Sequence, residues 1–169
     1  MAEDAYVAVG SNIKPLDNIP RALLMLRKYV TITAVSNFYK MPAVGQSEQP
    51  DFINGVIKIQ TDRSPRELKF DILRKIEEKL GRVRSGDKFA PRTIDLDVIL
   101  YEMTLSDEPG LCLPDPSIRS YPFVAVPLLE LAPELILPDT KTPLADEPAT
   151  KLKTDLHLEA KFTERLRGL

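Results

Sequence analysis

Residues 64–101 have the sequence SPRELKFDILRKIEEKLGRVRSGDKFAPRTIDLDVILY, in which a helix pattern and a strand pattern flank a basic loop. Ser64–Glu67 supplies an N-cap, a first-turn proline and a capping-box glutamate. Gly81 suits the position after the last turn of the helix. The buried stripe of this helix consists of apolar residues at helical spacing, namely Leu68, Ile72, Leu73, Ile76 and Leu80. Alternating apolar residues over 94–101 predict a strand.

The segments before this stretch complete the fold pattern. A β-prone run at 6–9 is followed by apolar residues at helical spacing over 16–30, and β-branched and aromatic residues at 30–39 predict a second strand. The loop 40–51 then leads to a third strand at 52–61, which we expect to pair antiparallel with the second. The order strand-helix-strand-strand-helix-strand predicts an α+β, ferredoxin-like sandwich, an antiparallel sheet flanked by helices.

The composition suits one compact domain over residues 1–169, because 43% of the side chains are hydrophobic and 28% are charged. Beyond the fourth strand we expect a small hairpin at 103–113 and a proline-broken apolar segment at 123–137, which form a C-terminal hairpin and helix extension. The tail, 139–169, carries six basic and six acidic residues and indicates no function of its own.

Charge and residue usage exclude several classes of function. The formal net charge of −2 and the pI near 5.5 lack the basic footprint of a nucleic-acid-binding protein. The single cysteine, Cys112, cannot form an internal disulfide, and no apolar run approaches the length of a membrane span. We therefore expect a cytoplasmic monomer. His157 is the only histidine, which removes most histidine-based triads and zinc cages from consideration, so the chemistry must rest on carboxylates and cations.

Two aspartates on the fourth strand form a candidate metal site. Because side chains alternate along a strand, Asp95 and Asp97 share one face, opposite Ile94, Leu96, Val98 and Leu100. Carboxylates at this spacing lie roughly 7 Å apart and suit magnesium, which takes one or two protein carboxylates and completes its shell with water and phosphate oxygens. The alternative is that both aspartates only mark the solvated face of a half-buried strand.

The loop before these aspartates is basic. Arg82, Arg84, Lys88 and Arg92 stand against one acid, Asp87, and this local excess of positive charge in an acidic protein favours an anion site. A solvated basic loop is the alternative. Together the basic loop and the paired aspartates predict a site for a metal-bound polyphosphate. The chain has no Gly-rich phosphate loop of the G-x-x-x-x-G-K-[ST] type.

The third strand offers a seat for a planar ligand. Phe52 and Asn54 share a face opposite Ile53. The phenyl ring can stack on a heterocycle, and the amide can donate to and accept from its edge. Alternatively, Phe52 belongs to the core and Asn54 binds loop backbone.

The motifs also resemble, in order, those of the 6-hydroxymethyl-7,8-dihydropterin pyrophosphokinase family over about residues 5–138. The signature is Gly81-Arg82-Val83-Arg84 followed by residues 88–97, KFAPRTIDLD. The supporting segments are Gly10-Ser11-Asn12, Ser36-Asn37-Phe38-Tyr39, residues 49–54, residues 123–128 and Ala132-Pro133.

The resemblance implies a reaction and a set of roles. The substrates would be ATP and 6-hydroxymethyl-7,8-dihydropterin, and the enzyme would move the β,γ-diphosphate of ATP onto the hydroxymethyl oxygen and release AMP. Asp95 and Asp97 would hold two magnesium ions, and the proposed catalytic residues are these two with Arg82 and Arg92. The other implied ATP-binding residues are Glu77, Arg84, Lys88 and Phe89, and the pterin-binding residues are Val44, Phe52, Asn54 and Phe123.

The chain departs from the family pattern at several positions. Phe89 and Ala90 replace a common tryptophan-glycine pair, Pro114-Asp115-Pro116 replaces Pro-His-Pro, and Tyr121 replaces a frequent arginine. We also weigh a non-catalytic ferredoxin-like module that binds a ligand or RNA, and a magnesium-dependent phosphodiesterase. The phosphodiesterase would not require the aromatic pocket around Phe52.

Overall fold

The computed structural model describes residues 2–44, 48–87, 90–153 and 155–169. The strands are β1 (Glu3–Ser11), β2 (Thr31–Val35), β3 (Tyr39–Met41), β4 (Phe52–Thr61), β5 (Asp95–Tyr101), β6 (Ser106–Glu108), β7 (Leu111–Leu113) and β8 (His157–Leu158). The α-helices are α1 (Pro15–Leu26), α2 (Arg74–Lys79), α3 (Ser117–Ser120), α4 (Pro122–Leu131) and α5 (Ala160–Arg167). A π-helical segment, Glu67–Leu73, leads into α2, and two short 3₁₀ turns lie at Leu144–Asp146 and Pro148–Lys151.

The main sheet is antiparallel and has the strand order β5-β1-β4-β3-β8, with β2 also paired to β4. The predicted ferredoxin-like order of strands and helices is therefore confirmed. The second predicted strand divides into β2 and β3, because the chain leaves the ladder between Val35 and Tyr39. The predicted hairpin at 103–113 is present as β6 and β7. No helix within the described ranges is long and apolar enough to cross a membrane.

The tail adds structure that the sequence pattern did not indicate. Its strand β8 pairs with β3, and Phe162 and Leu166 of α5 are buried in the core. The ring of Phe162 meets Phe38 edge-on, at 6.1 Å between ring centroids. Residues at the end of the chain thus pack against the strands that border the cavity described below.

Hydrophobic residues fill both faces of the sheet. One face packs under α1, the π-helical segment and α2, and the other packs under α3 and α4. A bulge in β5 shifts its register with β1, since Val7 pairs with Val98 while Tyr6 pairs with Leu100. The expectation that Leu100 lies on the same side as Ile94 is therefore wrong: Ile94 belongs to the first core and Leu100 to the second.

The helix over 64–80 begins and ends as its sequence predicts. The Ser64 hydroxyl accepts from the Glu67 N–H at 3.2 Å, and the Glu67 carboxylate accepts from the Ser64 N–H at 3.4 Å. At the C-terminus, Gly81 has φ +83°, a left-handed conformation that favours glycine. The N–H of Arg82 then bonds the carbonyl of Glu77 at 3.0 Å, so the turn returns Arg82 beside Glu77.

Candidate active site

The site is built on a row of paired residues that crosses three strands. Gly10 of β1 pairs with Asn54 of β4 on one side and with Asp95 of β5 on the other. In the next row, Ala8 lies opposite Asp97. Directly paired residues present their side chains to the same face, and two strand spacings separate Asn54 from Asp95 by roughly 10 Å. The small residues Gly10 and Ala8 form a low floor between the amide and the carboxylates.

A cavity of about 250 Å³ lies over this floor. Its lining includes all four residues expected to bind the pterin and three of the charged residues expected at the phosphates: Val44, Phe52, Asn54, Phe123, Arg92, Asp95 and Asp97. The structure therefore brings together the aromatic group and the carboxylate group that the sequence placed on separate strands. Ala8, Gly10, Met41 and Tyr121 also line the cavity and were not predicted to bind a substrate. The sequence signal that could have placed Gly10 and Ala8 in the site is the presence of small residues at alternate positions of β1.

The Asn54 side chain closely approaches the backbone of Gly10, where a glycine leaves room for it. A Cβ atom at this position would overlap the Asn54 side-chain oxygen. We predict that Gly10→Ala displaces the Asn54 amide and raises the KM for the dihydropterin about tenfold, the loss expected when about one hydrogen bond to substrate is removed. Steady-state kinetics at saturating ATP measure this.

Gly168→Ala is the matched control for that prediction, because a Cβ there meets only Glu164 and Arg165 carbonyls at 3.6 and 3.7 Å. It should leave the KM unchanged. An unchanged KM in Gly10→Ala as well would show that the Asn54 side chain does not contact the substrate.

An aromatic pair forms one wall of the cavity. Tyr121 precedes α4 and Phe123 lies in its first turn, and their rings stack at 4.9 Å between centroids with 23° between the planes. Phe52, the first residue of β4, lines the same cavity. Tyr121, noted above only as a departure from the family pattern, therefore extends the aromatic surface of Phe123.

Glu77 is buried beneath the basic loop and is 2% exposed. Its carboxylate accepts hydrogen bonds from Arg82, from Arg84 at 2.5 Å and from the backbone N–H of Leu96 at 2.9 Å. Burial raises the pKa of Glu77, although these three donors act against the shift. Glu77 is not among the residues that line the described cavity. Its observed contacts anchor two arginines to the start of β5, and its predicted contact with ATP stays a prediction.

Asp95 is shared by two arginines. Arg82 donates to Asp95 Oδ1 at 2.8 Å, and Arg92 donates to Asp95 Oδ2 at 2.6 Å. The Arg82 side chain is 10% exposed, whereas those of Arg92 and Arg84 are 25% and 49% exposed. Arg82 is therefore fixed between two carboxylates, and the other two arginines have more freedom to turn towards a ligand.

Asp97 lies on the same face of β5 in a strongly acidic environment. Burial raises the pKa of its carboxyl well above the ordinary value, and the charges of Asp95, Glu77 and Asp115 raise it further, while Lys69 opposes the shift. Within the described ranges, no arginine or lysine forms an ion pair with Asp97. A divalent cation bound here would relieve this repulsion.

The donor set fits magnesium. Among the described residues, no cluster of three or more histidine, cysteine, aspartate or glutamate side chains is placed to enclose a metal. Two carboxylates that line an open cavity leave most of an octahedral shell to water and phosphate oxygens, which is the arrangement magnesium favours. Asp95 and Asp97 are the residues that would hold it.

The remaining predicted residues have mixed outcomes. Asp115 turns into the start of α3, where its Oδ1 accepts from the Ser117 N–H at 2.8 Å, and it is not among the cavity-lining residues. Ala90 lines the cavity. Lys88 and Phe89 lie outside the described residues.

The sequence and the fold are both similar to those of known proteins. The profile of the 7,8-dihydro-6-hydroxymethylpterin-pyrophosphokinase (HPPK) family matches residues 6–133. The chain is 37% identical over 140 residues to a 2-amino-4-hydroxy-6-hydroxymethyldihydropteridine pyrophosphokinase of Haemophilus influenzae, covering 81% of this chain and 86% of that one. The enzyme of the same name from Pseudomonas aeruginosa is 39% identical over 142 residues, covering 82% of this chain and 86% of that one.

Solved structures share the fold. A triple-mutant HPPK-DHPS of Plasmodium falciparum superposes with a TM-score of 0.67 at 10% identity, and it covers 89% of this chain. The chain spans 43% of the length of that protein. The family profile and the two relatives above show that the chain belongs to the 7,8-dihydro-6-hydroxymethylpterin-pyrophosphokinase family.

Proposed function

We propose that the protein transfers the β,γ-diphosphate of ATP to the hydroxymethyl oxygen of 6-hydroxymethyl-7,8-dihydropterin. The hydroxymethyl oxygen attacks the β-phosphorus and loses its proton, the bond from that phosphorus to the α,β-bridging oxygen breaks, and AMP leaves. The observation that carries the proposal is the row Asn54–Gly10–Asp95, which puts a heterocycle-binding amide and a candidate metal carboxylate on one cavity floor.

The pterin half of the cavity supplies orientation. Phe52 on β4 and Phe123 on α4 line the same cavity and would stack on the two faces of the bicyclic ring, while Asn54 would bond its polar edge and Val44 would close the side. A ring held in this way directs its hydroxymethyl group along the floor towards Asp95. Such positioning accounts for a large part of the acceleration in phosphoryl-type transfers, which need little covalent chemistry from the protein.

The charged half of the cavity would bind the triphosphate of ATP. Asp95 and Asp97 would hold two magnesium ions, which when bound neutralise phosphate charge and polarise the reacting phosphorus. Arg84 and Arg92, the more exposed arginines, would turn from their carboxylate partners to phosphate oxygens at a small desolvation cost. Arg82 would stay between Glu77 and Asp95 and keep the carboxylate oriented.

The residues described around the cavity come from one chain, which is compatible with a monomer as the proposed active form. Cys112 is a free, exposed thiol, which suits a reducing compartment and supports a cytoplasmic location.

Product analysis tests the proposal. Purified protein with MgATP and the dihydropterin alcohol is expected to give AMP and the pterin diphosphate in equal amounts, and neither should form when magnesium is chelated. ADP as the product, or ATP hydrolysis that ignores the pterin, would refute the assignment. Tight binding of the pterin without turnover would instead support the ligand-binding module.

A further inference from the structure

Glu130 occupies a singular position in α4. The helix has the sequence PFVAVPLLEL, in which Glu130 is the only polar side chain. The other residues pack on the sheet through apolar contacts, chiefly Val124 and Leu128. Apolar packing is close but non-directional, so it supplies no directed bond between a helix and a particular strand. Glu130 is therefore the one side chain of α4 that can fix the helix by directed hydrogen bonds.

Two such bonds are present. Glu130 Oε2 accepts from Asn37 Nδ2 at 2.7 Å and from the Tyr39 hydroxyl at 3.1 Å. The carboxylate thus joins the last turn of α4 to β3 and to the residues before it. Asn37 is held in turn by the tail, because Arg167 of α5 donates to Asn37 Oδ1 at 3.4 Å and to the Val35 carbonyl at 3.1 Å.

Both ends of this connection border the pterin half of the cavity. Tyr39 pairs directly with Asn54, and Met41, two residues further along β3, pairs with Phe52. Phe123 lies seven residues before Glu130, which is two helical turns, so both side chains point to the same side of α4. Since α4 packs on β4, a shift of α4 along the sheet would change the separation of Phe123 from the wall formed by Phe52 and Asn54.

We propose that Glu130 is a positioning residue for the pterin: by accepting from Asn37 and Tyr39 it holds α4 at a fixed position over β4 and sets the width of the slot between Phe123 and the sheet. The residue does not line the described cavity, so it acts through the helix and not by touching substrate. The inference rests on the proposed function, since it concerns the same substrate. The proposed role of Glu130 also assigns a function to the segment Ser36–Tyr39, which has no proposed contact with a substrate.

Three variants and one control test the proposal. Glu130→Ala removes both bonds and is expected to raise the KM for the pterin about tenfold, whereas Tyr39→Phe removes one bond and should raise it about threefold. Glu130→Gln keeps a side-chain oxygen that can accept from both donors and should stay within about twofold of the wild type. The KM for ATP and kcat should change by less than about twofold in all three.

Tyr101→Phe is the matched control, because its hydroxyl also donates a single bond, to the Arg63 carbonyl at 2.6 Å, in a part of the fold away from α4. It should lower the unfolding temperature without changing the KM for the pterin. The proposal is overturned if Tyr39→Phe leaves that KM unchanged, if the KM for ATP rises equally, or if Glu130→Gln behaves like Glu130→Ala.

Equilibrium titration of the pterin into protein with magnesium and a non-hydrolysable ATP analogue separates this inference from the reaction itself. The wild type could bind the pterin yet form no AMP, which would refute the proposed function. If Glu130→Ala and Tyr39→Phe then bound the pterin more weakly than the wild type, the positioning role would still be supported. Unchanged binding in both variants, with AMP formation intact in the wild type, would refute the positioning role alone.

Discussion

Asp97→Asn is expected to reduce AMP formation about a thousandfold or more, equivalent to about 4 kcal/mol of transition-state stabilisation, without destabilising the fold. The amide is nearly the same shape as the carboxylate but is a poor magnesium ligand. It also removes a charge that Asp95, Glu77 and Asp115 repel. Steady-state AMP formation and urea unfolding at neutral pH measure the two effects, and the free energy of unfolding should stay the same or increase.

The pH dependence of stability provides a further check on Asp97. Because its pKa is raised in the folded state, the folded protein binds the proton more tightly than the unfolded chain does. Its contribution to stability is complete below the ordinary aspartate pKa and is lost as the pH rises towards the raised value. Asp97→Asn should therefore gain stability relative to the wild type as the pH rises through this window.

Asp139→Asn is the control for this substitution. Asp139 is paired with Arg119 at 2.8 Å, and this arginine lowers the pKa of Asp139, so the sign of the stability effect is reversed. The control should retain full AMP formation and lose a little stability at neutral pH. A large loss of folding in Asp97→Asn, with activity retained in the folded fraction, would support a purely structural role for the strand's aspartates.

Glu77→Ala is expected to lower the free energy of unfolding by about 3 kcal/mol, because it leaves the buried guanidinium of Arg82 short of a partner and the Leu96 N–H without its acceptor. It should also lower kcat, since Arg82 loses one of the two carboxylates that fix it beside Asp95. Urea unfolding and steady-state kinetics measure both quantities.

Glu147→Ala gives the comparison for a less buried carboxylate. Glu147 accepts from Arg119 at 3.0 Å and its side chain is 18% exposed, against 3% for Glu77. Its loss should lower the free energy of unfolding by less than about 1 kcal/mol. If Glu77→Ala kept its stability and raised only the KM for ATP, Glu77 would be a nucleotide contact, as the family resemblance implies, and not an anchor.

Local patterns predicted the parts of the site that depend on one element. Alternation along β4 and β5 put Phe52 with Asn54 and Asp95 with Asp97 on common faces, and the structure places all four around one cavity. The capping box and Gly81 predicted both ends of the helix before the basic loop. These signals hold because strand alternation and helix capping are set by residues a few positions apart.

Features that depend on pairing between distant segments were missed. The bulge in β5 moves Leu100 to the second core. It arises from the pairing of β5 with β1, so the sequence of β5 alone does not indicate it. Glu77 meets the Leu96 N–H across 19 positions, and no local pattern indicates that contact. The expectation for the tail rested only on its balanced charge, which indicates neither its pairing with β3 nor the burial of Phe162 against distant segments.

The glycine under the cavity also bears on how an inhibitor could be evaded. A compound that rests on Gly10 contacts peptide atoms, which no point mutation deletes. A larger residue at that position would collide with the amide of Asn54 and, if Asn54 binds the pterin as proposed, would also impair use of the natural substrate. Resistance mutations would have to occur among the residues that form the walls of the cavity. A ligand that binds the floor would therefore be open to fewer resistance mutations than one that binds the aromatic rings.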